Sequence, residues 1–217
     1  MASSRRPDVS AAAAALGVAL AVALVAVWVA GAPASDAGLT GGEGHPRERL
    51  PLAVHAPALG DAALDGAARR AVEDWNRLAE GALGRPAFAW AEGPERAQVV
   101  IAVEPRQGER LMGETHLRVE DGGRIGVPVR IVLREPAPRG RTAPDVLLYQ
   151  VLAHELGHAL GLEHVRDPRS LMCCVPGSVD FGDPAQRQAY VEARRRPDVS
   201  TVRGQLAEHY ARFWGLR

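Results

Sequence analysis

The stretch His154-Glu-Leu-Gly-His-Ala-Leu-Gly-Leu-Glu-His164 limits what this chain can fold into more than any other feature. It gathers three of the chain's seven histidines. On an α-helix, His154 and His158 are four positions apart and fall within about 40° of one another, one turn apart. Both imidazoles can then reach a single point. His164 lies six positions further on, where a continued helix would rotate it about 600°, well away from that point. It can join the others only if the helix stops between them. Gly161 occupies that gap, and glycine takes the left-handed backbone that ends helices at low cost. The expected local structure is therefore a helix carrying two ligands, a glycine turn, and a third ligand on the returning chain.

Three neutral imidazoles without a fourth protein ligand suit one zinc ion and leave one coordination position open for water, as catalytic sites do. Glu155 stands off the ligand line and can lean over that open position. There it is the candidate general base, and afterwards the acid that protonates a leaving amine. Water, base and Lewis acid together hydrolyse a peptide bond.

This combination resembles the metzincin zinc peptidases, whose motif is H-E-x-x-H-x-x-G-x-x-H followed by a methionine turn. His154, Glu155, His158, Gly161 and His164 complete the motif, and Ser170-Leu-Met172 resembles the turn. The wording Leu160-Gly-Leu-Glu-His164, with the short gap to Met172, is most similar to the matrixin branch. The resemblance implies an α+β catalytic domain: a mixed twisted sheet, long helices, an active-site helix, the methionine turn and a C-terminal helix. It further implies one catalytic Zn2+, a protein or peptide substrate, and Met172 as an apolar floor beneath the imidazoles. In such domains a strand before the active-site helix borders the cleft and pairs with extended substrate. Glu114 to Val119 is the segment for that part, which assigns Glu114, Thr115, His116 and Leu117 to the substrate cleft. His116 lacks the neighbouring His and Asp residues with which matrixins hold a second zinc. It is read as a surface residue, and no structural zinc or calcium is carried over.

Three regions are expected along the 217 residues. Arg5 and Arg6 precede an uncharged run, residues 11–32, long enough to span a bilayer as a helix, and basic flanks stay cytoplasmic. Residues 1–34 are thus a signal-anchor or a signal peptide, with Ala32 to Ser35 as a small-residue cleavage site interrupted by Pro33. Residues 35–49 are glycine-rich and polar and read as a linker. Residues 50–217 form the catalytic domain. It would lie on the outer face of the cytoplasmic membrane, or be secreted if the leader is cleaved. Formal net charge is zero, which gives no electrostatic case for nucleic acid. All 26 basic residues are arginine, a matter of composition from which no function follows.

Within the domain, Leu50 to Ala56 reads as a strand and Leu59 to Leu83 as a helix with an apolar face through Leu64, Ala68, Trp75 and Leu78. Phe88 to Trp90 and Ala97 to Val103 follow as strands. Two more strands flank a tight turn at Asp121 to Gly123. Thr142 to Asp145 looks like a capping box opening the ligand helix, which runs to about Leu160. Asp183-Pro184 opens another helix, ending near Arg196, and a last one shows Val202, Leu206, Tyr210 and Phe213 on one side. Arg194 to Arg196 form a charge run, read as a solvated face.

Cys173 and Cys174 are the only cysteines and follow Met172 directly. Matrixins commonly have tyrosine and proline there, so the chain departs at this point from the family it resembles. Three readings stay open: two small buried thiols, a vicinal disulfide shaping the pocket wall, or Cys174 approaching the zinc. The stretch from Cys173 to Asp180 is expected to decide specificity. Two rival functions share this site: an exported zinc-binding scaffold or binding protein without turnover, and a hydrolase of non-protein amides. Glu155 argues against the first, because holding zinc needs no carboxylate at that place.

Overall fold

Asp61 starts the first long helix and Gly84 ends it. In the computed structural model, which describes residues 34–35, 38–106, 112–137 and 142–215, helix α1 spans Ala62–Leu83. The Asp61 carboxylate accepts from the backbone N–H groups of Ala63 and Leu64, two donors that a helix start leaves unpaired. Gly84, at φ +73°, takes the left-handed position after the last turn. The face through Ala68, Ala71, Val72, Trp75, Leu78 and Ala79 is buried, much as its periodicity predicts.

That face packs between a sheet and the ligand helix. The strands are β1 (Ala34–Ser35), β2 (Leu52–His55), β3 (Phe88–Trp90), β4 (Val99–Glu104), β5 (Gly113–Glu120) and β6 (Arg124–Arg134), in the order β1-β5-β6-β4-β2-β3. β2, β3, β4 and β6 run parallel, whereas β5 is antiparallel to β6 through the turn at Asp121–Gly123. Register pairs Val99 with Val129 and Ile101 with Ile131, all four buried. A run of branched residues covered on its inner face is what a parallel sheet under helices requires. Outside β5, among the described residues, only the two-residue β1 pairs, at His116 and Leu117.

Helix α2 (Pro144–Ala159) carries the motif. It begins at Ala143, whose side chain caps nothing, so the capping box expected from Thr142 does not form; Pro144 at the first position needs no N–H partner. Trp75 Nε1 donates to Ala153 O at 2.8 Å and the Tyr149 hydroxyl donates to Asp74 Oδ2 at 2.5 Å, which fastens α2 to α1 beside His154. Helix α3 (Pro184–Arg195) and helix α4 (Arg203–Phe213) complete the domain, with Val202, Leu206 and Tyr210 of the last segment in the core.

The segment expected to be a linker, 35–49, is corrected from residue 38 onward: it is docked on the domain and belongs to the same compact unit. Gly44 exchanges backbone hydrogen bonds with Gly123 and Ile125, both at 2.9 Å. Glu43 is buried and accepts from the Thr40 hydroxyl at 2.6 Å. His45 is fully buried, with Nε2–H donating to Ala159 O at 2.9 Å, and its own carbonyl accepts from Trp214 Nε1 at 2.9 Å. Glycine-rich composition fits this path because the chain runs tight against its neighbours there. Residues 11–32 lie outside the described residues. No helix among the described residues is long and apolar enough to cross a membrane.

Burial holds the His45 imidazole pKa down to about 4; the nearby Arg49 and His209 push the same way and the bond to Ala159 O opposes them. The native state thus keeps His45 neutral, while the unfolded chain takes up its proton near pH 6.5. Between those values the unfolded state binds more protons, so stability is complete above about pH 6.5 and declines as pH falls. The slope is about 1.4 kcal/mol per pH unit, and the total by pH 4 is roughly 3 kcal/mol. Urea unfolding of His45→Gln, whose amide can keep the bond to Ala159 O, should show a shallower acid slope than wild type. Equal slopes would remove His45 from the pH dependence.

Candidate active site

Helix α2 stops where the spacing of the histidines requires. Gly161 has φ +90°, Gly161 N–H donates to His158 O at 2.9 Å, and Leu162 N–H donates to Gly157 O at 3.0 Å. These two bonds are the Schellman arrangement, in which a left-handed residue turns the chain back across the helix end. Glycine is required there twice over, because a Cβ would collide with the carbonyl oxygen of Glu43. The returning chain carries His164. Val165 N–H then donates to Met172 O at 3.0 Å and Val175 N–H donates to Val165 O at 3.1 Å, fixing the third histidine against the methionine turn.

Three imidazoles meet as a result. The Nε2 atoms of His154, His158 and His164 lie 3.1, 3.1 and 3.2 Å from one another. His154 Nδ1 is 2.7 Å from Leu171 O, and His158 Nδ1 is 2.8 Å from Leu162 O. A carbonyl can only accept, so both Nδ1 atoms carry the hydrogen and both Nε2 atoms present lone pairs. Three nitrogens on a tetrahedral ion with bonds of about 2.05 Å would be about 3.3 Å apart, so the set fits zinc. Burial first, then the neighbouring imidazoles, push the His154 pKa to about 3 and the His158 pKa to about 4. Neutral ligands are therefore available at neutral pH, and protons do not compete for them. Among the described residues these three are the one group of His, Cys, Asp and Glu side chains close enough to share an ion.

Met172 is fully buried and packs against the underside of α2 at Gly157. A side chain on Gly157 would meet Met172 Sδ, with Trp75 close behind. Gly157 is thus a structural requirement that the motif leaves as an arbitrary position, and close packing under the ligand helix is what demands it.

Glu155 is 3% exposed and faces β5. Thr115 Oγ1 lies 2.7 Å from Glu155 Oε2 and 3.1 Å from Glu155 O. Thr115 is buried by this contact and Leu117 by the core, so neither lines the cleft as expected. Glu114 and His116 turn to the other face, 3.5 Å from each other. The β5 end of the cleft is instead formed by Met112 and Gly113. Gly113 comes so close to Val151 and Glu155 that a Cβ would strike both.

A cleft of about 610 Å³ opens in front of His154, Glu155 and His164. Its opposite wall holds Leu171, Cys173, Tyr190 and Arg194. Cys173 and Cys174 are bonded to each other, which realises the vicinal disulfide among the three readings; Cys173 alone of the pair lines the cleft. Arg194 is not a solvated residue of a charge run, as its neighbours had suggested. It lies over the Tyr190 ring, 3.6 Å from the centroid, and donates to Cys173 O at 3.0 Å. Tyr190 and Arg194 escape a reading of the sequence because nothing local says that α3 folds back over the methionine turn.

A glycine-ended helix with three convergent imidazoles and an adjacent carboxylate, set beneath an antiparallel strand, defines a zinc metallopeptidase site. Residues 55–180, more than half of the chain, match the matrixin family, and the chain belongs to that family of zinc-dependent metallopeptidases. No curated protein matches the chain.

Gly161→Ala adds a Cβ at positive φ and against backbone, and should cost about 2–4 kcal/mol. Denaturant unfolding of the zinc-free chain measures it. A loss under about 0.5 kcal/mol would show that the turn can move away from Glu43. Alkylation of the unfolded chain should label both cysteines only after reduction, which intact mass reads directly.

Proposed function

We propose that the chain is a zinc-dependent endopeptidase in which His154, His158 and His164 hold the ion and Glu155 moves the proton. The observation that supports this most is the convergence of the three Nε2 atoms on the cleft wall that also carries the Glu155 carboxylate. When bound, zinc supplies a Lewis acid that acidifies water and polarises the scissile carbonyl. The rest is the work of side chains. Thr115 holds the Glu155 carboxylate by its hydroxyl, so the base is oriented before substrate arrives. Glu155 takes a proton from the attacking water, the water oxygen bonds to the carbonyl carbon, and Glu155 returns the proton to the amine nitrogen as the C–N bond breaks. The outer edge of β5 from Gly113 to Thr115 has no strand partner among the described residues. An extended peptide would add there, antiparallel to β5, across the front of α2.

We also infer that the domain works outside the cytoplasm, with residues 11–32 as membrane anchor or cleaved leader. Amino-terminal sequencing of the protein from membranes and medium distinguishes the two, and a cytosolic protein with an intact start would refute both.

Cleavage of a mixed peptide library by the zinc-loaded chain tests the peptidase directly. Glu155→Ala should lower the rate by at least about 100-fold with zinc still bound. Zinc retained without any cleavage by the wild type would leave the scaffold reading. Thr115→Val, which removes the hydroxyl and keeps the shape, should lower kcat about tenfold with zinc content unchanged.

A further inference from the structure

Helix α3 makes one wall of the cleft cationic. Arg194 and Arg195 both line it, beside Tyr190 of the same helix. Arg194 is half-buried, stacked on Tyr190, and donates to the carbonyl oxygens of Pro168 at 3.3 Å and Cys173 at 3.0 Å. Those acceptors are neutral, so they orient the guanidinium without neutralising it. Arg195 is exposed beside it. Among the described residues neither guanidinium has a carboxylate within ion-pair distance. Glu155, already engaged with Thr115, is the single carboxylate among the described residues that line the cleft.

An arginine fixed by stacking has lost much of its side-chain freedom before a ligand arrives, and its planar fork matches a carboxylate. A neutral side chain packed against this wall would cover the charge without replacing the water it loses. Building on the peptidase reading above, we propose that Arg194 and Arg195 form a subsite for an acidic side chain, so that the enzyme selects peptides carrying Asp or Glu at the position lying against α3. The competing account makes Arg194 only a clamp between α3 and the methionine turn. A clamp would serve substrates of any charge equally, and that difference is measurable.

Binding is read on the full-length zinc-loaded chain carrying Glu155→Ala, so that turnover does not enter. The probes are short fluorescein-labelled alanine–leucine peptides in which one position at a time is Glu, Gln or Lys, followed by anisotropy. At one position the Glu peptide should bind about tenfold more tightly than the Gln peptide, and the ratio should shrink as salt is raised. Arg195→Glu, a change at an exposed site, should reverse the order and favour Lys at that same position. Arg194→Lys should keep part of the preference and Arg194→Gln should lose it. Equal binding of Glu and Gln peptides at every position overturns the proposal, as does a ratio that neither Arg195→Glu nor Arg194→Gln changes. Failure of the wild type to cleave any peptide sinks the peptidase reading separately, since the binding ratio is measured without cleavage.

Discussion

Everything at this site depends on stopping one helix at one residue. Two imidazoles four apart belong to a helix, and a third six further on cannot share their target while the helix continues. The left-handed turn at Gly161 resolves that conflict, and it is held from behind. Glu43 presses its carbonyl to the glycine, His45 takes the Ala159 carbonyl, and His209 closes the remaining side. The carbonyls exposed by a helix ending inside the protein are paired, Ala159 O with His45 Nε2 and Leu160 O with the Tyr210 hydroxyl at 3.0 Å, as buried backbone must be.

The ligand helix is clamped along its length as well as at its end. Trp75 bonds to the carbonyl just before His154, Met172 fills the space beneath Gly157, and Thr115 grips Glu155 from β5. Each contact comes from a different element, so the sheet, the first helix and the methionine turn all bear on one stretch of little more than a turn, from Ala153 to Gly157. The carbonyls of Leu171 and Leu162 then orient the rings of His154 and His158. A metal arriving here finds His154 and His158 already neutral and aimed, and less ordering is left for binding to accomplish.

The motif made the ligands, the glycine turn and the floor methionine readable, because the chemistry tolerates almost no other spacing. Strands rich in β-branched residues and the turn at Asp121 to Gly123 were readable for similar local reasons. What escaped was long-range. Residues 38–49 have a linker's composition, but Glu43 and His45 find their places through partners more than a hundred positions away. Thr115 and Leu117 lie on the strand that borders the cleft, and the pleat turns both inward. The arginines at 194 to 196 look like a solvated face until α3 is seen folded over the methionine turn with Tyr190 beneath Arg194.

Helix α3 contains no fully buried residue, in contrast to α2, where most positions are buried. Substitutions on exposed helix faces usually change stability by less than about 0.5 kcal/mol. One wall of the cleft can therefore drift in sequence while the metal-binding wall is held by its own packing. On the proposed reading, descendants of this chain can change which peptides they accept long before they change how those peptides are cut.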